Sequence, residues 1–339
     1  MSTAGPPQGA KAPSGGSAAH AVASVGATFQ QVDVFTATPY LGNPVAVVLD
    51  ANGLSDEAMQ QFARWTNLSE TTFVLPPSAD AAAQGADYRV RIFTPGGELP
   101  FAGHPTLGTC HAWLGSGGQP RQAGTVVQEC GVGLVRLRRE GGQLAFAAPA
   151  LRRLAPEPAV LAEVLGALGL QASQLRAAQW LDNGPQWLGL LLDSPETVLG
   201  LSPDHAALKK AGHMVGVAAV DTDDEAPLLI ARSNREARAI HADSGTLGKA
   251  AGSPGRQPPG LQVRAFAAPL DVPEDPVTGS LNASLAQWLI AEGLMPEHYV
   301  ATQGLCLGRM GQVHIRRDEQ GQVWVGGDSV TCIQGTVLL

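Results

Sequence analysis

Apolar and polar residues recur along the chain with two periods, which together predict a mixture of strands and helices. Residues 88–93 alternate between apolar and charged side chains, as in a strand with one buried face. Over 280–291 the apolar residues instead recur every three or four positions, as on the buried face of a helix. These patterns predict strands at 30–37, 44–49, 71–75, 88–93, 125–128, 132–138, 187–193, 214–220, 227–232, 312–316, 322–326 and 330–338, and helices at 55–65, 105–114, 157–167 and 280–291.

Residues that suit helix ends mark two of these helices. Ser55 can accept a hydrogen bond from the first turn of the helix predicted at 55–65. Pro105 is predicted at the first position of the helix at 105–114, and Gly115 falls just after its end. Glu70 therefore lies in a short junction between a helix and a strand.

One order of features occurs twice in the chain. The strand Val90-Arg-Ile-Phe93 leads through an acidic, proline-containing loop to Gly103 and a helix. The strand Val263-Arg-Ala-Phe266 leads through a loop of the same kind to Gly279 and a helix. Such a repeat predicts two similar α/β halves, each of which offers the N-terminus of a helix at the end of a strand.

The length of 339 residues exceeds what one ordinary core fills, which also favours two domains. We expect a disordered leader at 1–28, because this Ala/Gly/Ser/Pro-rich stretch lacks the apolar material needed for a core. The first half then covers 29–150 and the second 151–339, with the C-terminal strands able to cross back to the first half. Residues 233–260 are polar, lack periodicity and are predicted to form an exposed insertion.

Charge and composition exclude several classes of partner. The 30 acidic residues outnumber the 22 basic ones, and a net charge of −8 argues against binding to nucleic acid. An acidic substrate must then be held by local hydrogen-bond donors. No apolar run is long enough to span a membrane, and the leader lacks the basic start and apolar block of a signal peptide.

The cysteine and histidine patterns give no sign of a metal site. The four cysteines are scattered without a CxxC pair, which argues against zinc and against a disulfide framework and fits a cytoplasmic protein. His104 and His111 lie two helical turns apart, but nothing else in the sequence suggests a metal ligand.

The predicted helix N-termini and Glu70 together suggest proton chemistry on an anion. A helix N-terminus carries unpaired N–H groups and partial positive charge, so two of them across a cleft could hold a carboxylate or a developing enolate. Glu70 lies between the apolar residues Leu68 and Phe73, and such surroundings tend to raise the pKa of a carboxyl toward neutrality. A group of this kind can both accept and return a proton.

Simpler interpretations of these residues remain open from the sequence. Glu70 could be an ordinary loop carboxylate, and His104 and Ser280 could merely cap their helices. Asp275 and Glu274 could form a solvated turn. Only the folded arrangement distinguishes these alternatives.

Seven segments nevertheless resemble one known family. They are Gly42-Asn-Pro-Val-Ala-Val-Val48, Asn67-Leu-Ser-Glu-Thr-Thr-Phe-Val74, Phe93-Thr-Pro, Glu98-Leu-Pro-Phe-Ala-Gly-His-Pro-Thr-Leu-Gly-Thr109, Asn183-Gly-Pro185, Glu274-Asp-Pro-Val-Thr-Gly-Ser280 and Gln303-Gly with Gly308-Arg309. In these segments the chain is similar to the PhzF-like family of phenazine-biosynthesis isomerases, from about residue 29 to the C-terminus.

The resemblance implies a diaminopimelate epimerase-like fold, in which two pseudo-symmetric halves each wrap a sheet around a central helix. It also implies a site in the cleft between them, with Glu70 as the acid/base. Its implied residues are Glu70, Asp275 and His104 as catalytic groups, and Ser69, Gly103, Thr278, Gly279 and Ser280 as substrate-binding groups.

The resemblance further implies a cofactor-independent isomerase that acts on a small acidic substrate and forms a homodimer. The phenazine enzyme of this family isomerises trans-2,3-dihydro-3-hydroxyanthranilate, but membership does not fix the substrate. The related epimerase has a thiol at the start of each central helix, where this chain has Ala102 and Thr278. Isomerisation by one carboxylate is therefore favoured. The alternatives are an amino-acid racemase with another base pair and a catalytically silent protein that binds small acids.

Overall fold

The computed structural model describes Met1, residues 26–221 and residues 260–339. Most of the predicted leader, most of the predicted insertion and the strand predicted at 227–232 lie outside these described residues. None of the helices in the described ranges has both the length and the apolar character needed to cross a membrane.

Strands and helices alternate through both halves of the described chain. Residues 26–154 form β1 (Gly26–Val34), β2 (Asn43–Val48), α1 (Asp56–Thr66), β3 (Thr71–Leu75), α2 (Ala79–Ala83), β4 (Tyr88–Phe93), β5 (Glu98–Leu99), α3 (Gly103–Gly115), β6 (Thr125–Cys130), β7 (Gly133–Glu140), β8 (Gln143–Ala147) and β9 (Arg152–Leu154). The remainder forms α4 (Pro158–Leu168), β10 (Leu175–Asp182), β11 (Gln186–Leu192), α5 (Pro195–Gly200), α6 (His205–Ala211), β12 (Met214–Asp221), β13 (Gly260–Ala267), β14 (Val272–Asp275), α7 (Gly279–Ala291), β15 (His298–Gln303), β16 (Gly311–Arg317), β17 (Val323–Gly327) and β18 (Ser329–Leu338).

Most of the predicted elements are present, with shifted ends. β1 begins at Gly26 rather than at residue 30, because Gly26 pairs with Leu338 of β18. α3 begins at Gly103, so Pro105 is its third residue and not its first as predicted. β10 was not predicted, since LRAAQWLD has little β propensity, and it is a strand because it pairs with both β11 and β9.

The two halves share one pattern of strand pairing. Their order in the sheet is β18-β1-β2-β3-β4-β6-β7-β8 followed by β17-β16-β15-β13-β12-β11-β10-β9. From β1 to β8 and from β10 to β17, the pairings run antiparallel, parallel, antiparallel, parallel, antiparallel, antiparallel. β8 pairs with β17 and joins the halves, while β18 returns to pair with β1. The predicted pair of pseudo-symmetric halves is therefore confirmed.

The repeat extends to an ion pair in each half. Arg91 donates to both carboxylate oxygens of Glu98, at 2.8 and 2.6 Å. Arg264 makes the same two-pronged contact with Glu274, at 3.0 and 2.8 Å. The first pair is partly exposed, whereas the Arg264 and Glu274 side chains are only 5% and 7% exposed. Each pair ties the central strand of its half to the short strand before the helix.

The helices α3 and α7 are the centres of the two halves. Every residue of α3 from Gly103 to Cys110 is buried, and α7 is buried from Gly279 to Ala286 except at Ser280. A helix that is apolar on all sides belongs in a core, which explains why neither shows a clear polar face. The other long helices lie outside the sheet, where α1 packs Met59 and Phe62 against it.

Gly108 allows α3 to lie very close to the strands around it. A Cβ added at Gly108 would come within 2.4 Å of Val45 Cγ1 and 3.0 Å of Val34 Cγ2. These branched side chains are fully buried. Protein interiors are close-packed, so such side chains have little space into which they can move. Gly108 thus fixes the distance of the first central helix from β1 and β2.

We expect Gly108→Ala to lower the free energy of unfolding by roughly 1–3 kcal/mol, because overpacking strains the core. The matched control is Gly166→Ala in α4, where an added Cβ meets nothing within 4 Å. That change should raise stability by about 0.5–1 kcal/mol, the usual effect of replacing glycine inside a helix. Urea denaturation of the two variants measures both effects, and equal effects would contradict the close packing.

Candidate active site

The two central helices begin face to face between the halves. A Cβ added at Gly279 would lie 3.2 Å from Gly103 Cα and 3.3 Å from the His104 nitrogen. A Cβ added at Gly103 would in turn lie 3.2 Å from Gly279 Cα and 2.8 Å from Phe146 Cζ. Only glycine permits this approach, so both N-termini are directed at one small region.

Neither helix has a side chain that caps its first turn. The N-cap of α3 is Ala102, which has no oxygen to offer, and the N-cap of α7 is Thr278. The Thr278 hydroxyl donates to Asp275 Oδ2 at 2.6 Å instead of accepting from the helix. His104 and Ser280 are second residues of their helices and are not the caps that the sequence allowed. The first-turn N–H groups are thus left for a ligand.

Glu70 immediately precedes β3 and reaches the start of α3. Its Oε2 lies 3.4 Å from His104 Nε2, and its side chain is 15% exposed. Burial raises the pKa of Glu70 to about 8, and the negative charge of Asp275 adds to the rise. Glu70 is therefore not a solvated loop carboxylate but a group that titrates near neutral pH.

His104 faces Glu70 with an unprotonated nitrogen. Burial lowers the pKa of His104 to about 3, so the ring is neutral at physiological pH. The ring donates to the Pro44 carbonyl, and since Nε2 has no hydrogen-bond partner among the described residues, the donor is Nδ1. Nε2 then presents its lone pair to Glu70, where it can accept a hydrogen bond from the protonated carboxyl.

Asp275 supplies the second carboxyl from the other half of the chain. It accepts from Thr278 at 2.6 Å and from the Asn43 amide at 2.9 Å. Burial raises the pKa of Asp275 to about 6, although both hydrogen bonds lower it. Because the adjacent Glu274 lies in the buried ion pair with Arg264, the two acidic residues do not form a solvated turn.

Two amide side chains that the site prediction omitted hold this arrangement together. Gln303 accepts from the Thr278 N–H at 3.1 Å and from Asn282 at 2.9 Å. Its amide group donates to the Asp275 carbonyl at 3.0 Å and to the Thr278 hydroxyl at 2.9 Å. Asn43 joins the halves directly. Both residues lie in motif segments, Gly42-Asn-Pro and Gln303-Gly, and those segments were the signal that could have identified them.

The remaining predicted binding residues lie around the same region. The Ser280 hydroxyl accepts from Trp187 Nε1 at 3.2 Å, and its carbonyl accepts from Asn183 at 3.2 Å. The Asn183-Gly-Pro turn, which joins β10 to β11, therefore supports the start of α7. Ser69 is half-buried beside Glu70. All eight predicted residues thus belong to the two helix starts or to the segments that adjoin them.

The second half has no counterpart of Glu70. Thr71 pairs with the phenylalanine that ends the repeated strand segment of β4, and Val215 pairs with its counterpart in β13. The residue before Thr71 is Glu70, whereas the residue before Val215 is Met214. The pseudo-symmetry of the backbone is therefore not matched by a second acid/base group at the equivalent position.

No thiol of the described residues lies at either helix start. Cys110 is fully buried seven residues into α3 and is hydrogen-bonded to Tyr88. Burial raises the pKa of Cys110 to about 12, which keeps it a protonated core thiol. Within 26–221 and 260–339, no three His, Cys, Asp or Glu side chains are placed to hold a metal ion.

A cavity of about 760 Å³ lies elsewhere along the sheet. It is lined by residues of β7, β8, β12, β13 and β15 to β17, among them Arg138, His314 and Trp324. None of the residues around the two helix starts lines it, so Glu70 and Asp275, whose pKa values are raised to about 8 and about 6, both lie outside it. The chemistry therefore points to the region of the two helix starts and not to this cavity.

The chain has an α/β fold of the diaminopimelate epimerase-like type. The family model of phenazine biosynthesis-like proteins (PhzC-PhzF) matches residues 32–335, so the chain belongs to that family. It is 34% identical over 325 residues to antisense-enhancing sequence 1 of Schizosaccharomyces pombe. The alignment covers 91% of this chain and 97% of that protein.

Named isomerases are among its relatives. The chain is 32% identical over 321 residues to the trans-2,3-dihydro-3-hydroxyanthranilate isomerase of Pseudomonas aeruginosa. The alignment covers 91% of this chain and 98% of that protein. The crystal structure of a PhzF-family phenazine biosynthesis protein from Bacillus anthracis has a TM-score of 0.72 at 20% identity, covering 93% of this chain and 100% of that one. The family predicted from the motifs is thus confirmed.

The raised pKa of Glu70 predicts how stability depends on pH. The folded-state value of about 8 exceeds the ordinary value of 4.5, so the folded state binds the proton more tightly. This contribution is complete below pH 4.5 and is lost as pH rises to 8. Relative to Glu70→Gln, wild type should lose at most roughly 1.4 kcal/mol of unfolding free energy per pH unit in this window.

Urea denaturation of both proteins between pH 5 and pH 9 measures the difference. The matched control is Glu163→Gln at an exposed position of α4, whose difference from wild type should not vary with pH in this way. If the Glu70→Gln and wild-type curves run parallel, Glu70 is not a buried acid with a raised pKa.

Proposed function

We propose that this protein is a cofactor-independent isomerase that moves a proton within a small carboxylate-bearing substrate, with Glu70 as the single acid/base. The observation that supports this best is the position of Glu70. A carboxyl with a pKa of about 8 lies 3.4 Å from a neutral His104, beside helix N-termini that no side chain caps. A proton-transfer group needs a pKa near the working pH, and Glu70 meets that requirement.

The proposed reaction consists of two proton transfers by one group. The Glu70 carboxylate accepts a proton from a carbon of the substrate, and the electron pair of the broken C–H bond delocalises toward the substrate's acidic group. The helix N–H groups near Gly103 and Gly279 stabilise the negative charge that develops there. Glu70 then returns the proton to another atom of the substrate, so that the carboxylate is restored and no electrons are gained or lost.

His104 and Asp275 have supporting roles in this proposal. Neutral His104 accepts a hydrogen bond from protonated Glu70 and so holds the acid between the two transfers. Asp275, with a pKa of about 6, is ionised at neutral pH and can bind a substrate N–H or O–H group. Ser69, Thr278 and Ser280 complete the proposed substrate contacts.

The relatives guide the choice of substrates to test. Because one relative is named for the isomerisation of trans-2,3-dihydro-3-hydroxyanthranilate, small cyclic and aromatic carboxylic acids are the first class to screen by thermal shift. A homodimer in the cytoplasm remains our prediction for the assembled protein.

Proton exchange provides the direct test of Glu70. A ligand found by thermal shift should incorporate deuterium from heavy water with wild-type protein, as followed by NMR or mass spectrometry. Glu70→Gln should slow this exchange by at least roughly 10²–10⁴-fold while the thermal shift is retained, since a positioned acid/base contributes about that much. Glu163→Gln should exchange at the wild-type rate, because its side chain is exposed on α4.

Other results would support the alternatives. Exchange that survives in Glu70→Gln but is lost in Cys110→Ala, with inversion of a stereocentre, would indicate a racemase and reject the proposal. Binding without exchange in wild type would indicate a silent acid-binding protein.

A further inference from the structure

We propose that Asn43 is a positioning residue that holds Asp275 of the second half against Glu70 and His104 of the first. This inference rests on the proposed function, because it assigns a role in the same site. Asn43 is the first residue of β2 and is completely buried. Its amide nitrogen lies 2.9 Å from Asp275 Oδ1, 3.0 Å from the Val277 carbonyl and 3.5 Å from His104 Nδ1.

The orientation of the Asn43 amide is fixed by its neighbours. Asp275 Oδ1 and the Val277 carbonyl can only accept, so the nitrogen of the amide must face both of them. Asn43 in the first half therefore donates both amide protons to the segment of the second half that leads into α7. The amide oxygen is buried and has no hydrogen-bond partner among the described residues. A buried oxygen without a hydrogen-bond partner is energetically unfavourable.

The loop before Asn43 is tied to both halves of the chain. The Gly42 N–H donates to Oδ2 of buried Asp33 at 3.0 Å. The Met310 N–H donates to the Leu41 carbonyl at 2.7 Å, which attaches the loop to the second half. With these two contacts directly before it, Asn43 enters β2 in one defined position.

The hydrogen bond from Asn43 also influences the titration of the carboxyl groups at this site. Asp275 interacts electrostatically with Glu70 before β3 and with Glu274 on its own strand. Glu274 is paired with Arg264, and neutral His104 on α3 lies beside Glu70. Donation by Asn43 favours the ionised form of Asp275, and that negative charge raises the pKa of Glu70. Loss of the donor should therefore move the two titrations in opposite directions.

Asn43→Leu tests this, because leucine has the same number and branching of side-chain heavy atoms and removes the donor. Selective ¹³C labelling of Asp and Glu carboxyl carbons, with Asp275→Asn and Glu70→Gln for assignment, allows NMR to follow both titrations. The Asp275 midpoint should rise by roughly one to two pH units, the usual effect of losing a hydrogen bond to a charged group. The Glu70 midpoint should fall. Asn52→Leu at an exposed turn is the matched control and should leave both unchanged.

A merely structural role for Asn43 predicts a different outcome. If Asn43→Leu lowers stability but leaves both midpoints in place, or if both midpoints fall together because water enters, the positioning role is wrong. If the variant does not fold, the wild-type protein provides the test. The side-chain amide protons of Asn43 should then change chemical shift with the midpoint of Asp275, and constant shifts would overturn the inference.

The inference and the proposed function can fail separately. Deuterium exchange that persists in Glu70→Gln rejects the function whatever Asn43 does. Unchanged midpoints in Asn43→Leu, together with exchange that depends on Glu70, reject the role of Asn43 and leave the function intact.

Discussion

The close approach of two helix N-termini is the constraint on which the rest of this structure depends. Gly103 and Gly279 are so near each other that a Cβ on either would lie 3.2 Å from the other's Cα. Both helices are buried where they approach each other, each within its own half of the sheet. The arrangement directs two partial positive charges at one point without any lysine or arginine. It therefore suits the carboxylate-bearing substrate that we propose for this acidic protein.

The repeated architecture is used asymmetrically at this point. Glu70 of the first half corresponds in strand register to Met214 of the second. Asp275 of the second half corresponds to Leu99 of the first, since they pair with equivalent residues of β13 and β4. Each half thus contributes one carboxyl where the other half has an apolar side chain. One group with a pKa near 8 and one near 6 result, and their environments suit them to different tasks.

Burial of these polar groups is unfavourable, and the surrounding structure compensates for it. Gln303 makes four hydrogen bonds with polar groups at the start of α7. Arg264 neutralises the charge of Glu274 next to Asp275. Glu70 Oε2 and His104 Nε2 nevertheless remain without partners of good geometry in the described structure. Unsatisfied atoms of this kind are expected where a ligand completes the hydrogen bonding.

The sequence by itself determined the four long helices, many of the strands, the repeat and the family. Alternation over 88–93 and the two Val-Arg-x-Phe segments report local periods and local order, which the chain carries without folding. The motif segments also contained Glu70, His104 and Asp275. Tertiary structure decided what these residues are: β10 became a strand through its neighbours, α3 extended to Gly103, and Asn43 and Gln303 became parts of the site. Desolvation, charge proximity and contacts between residues more than 200 positions apart, as between Asn43 and Asp275, exist only after folding.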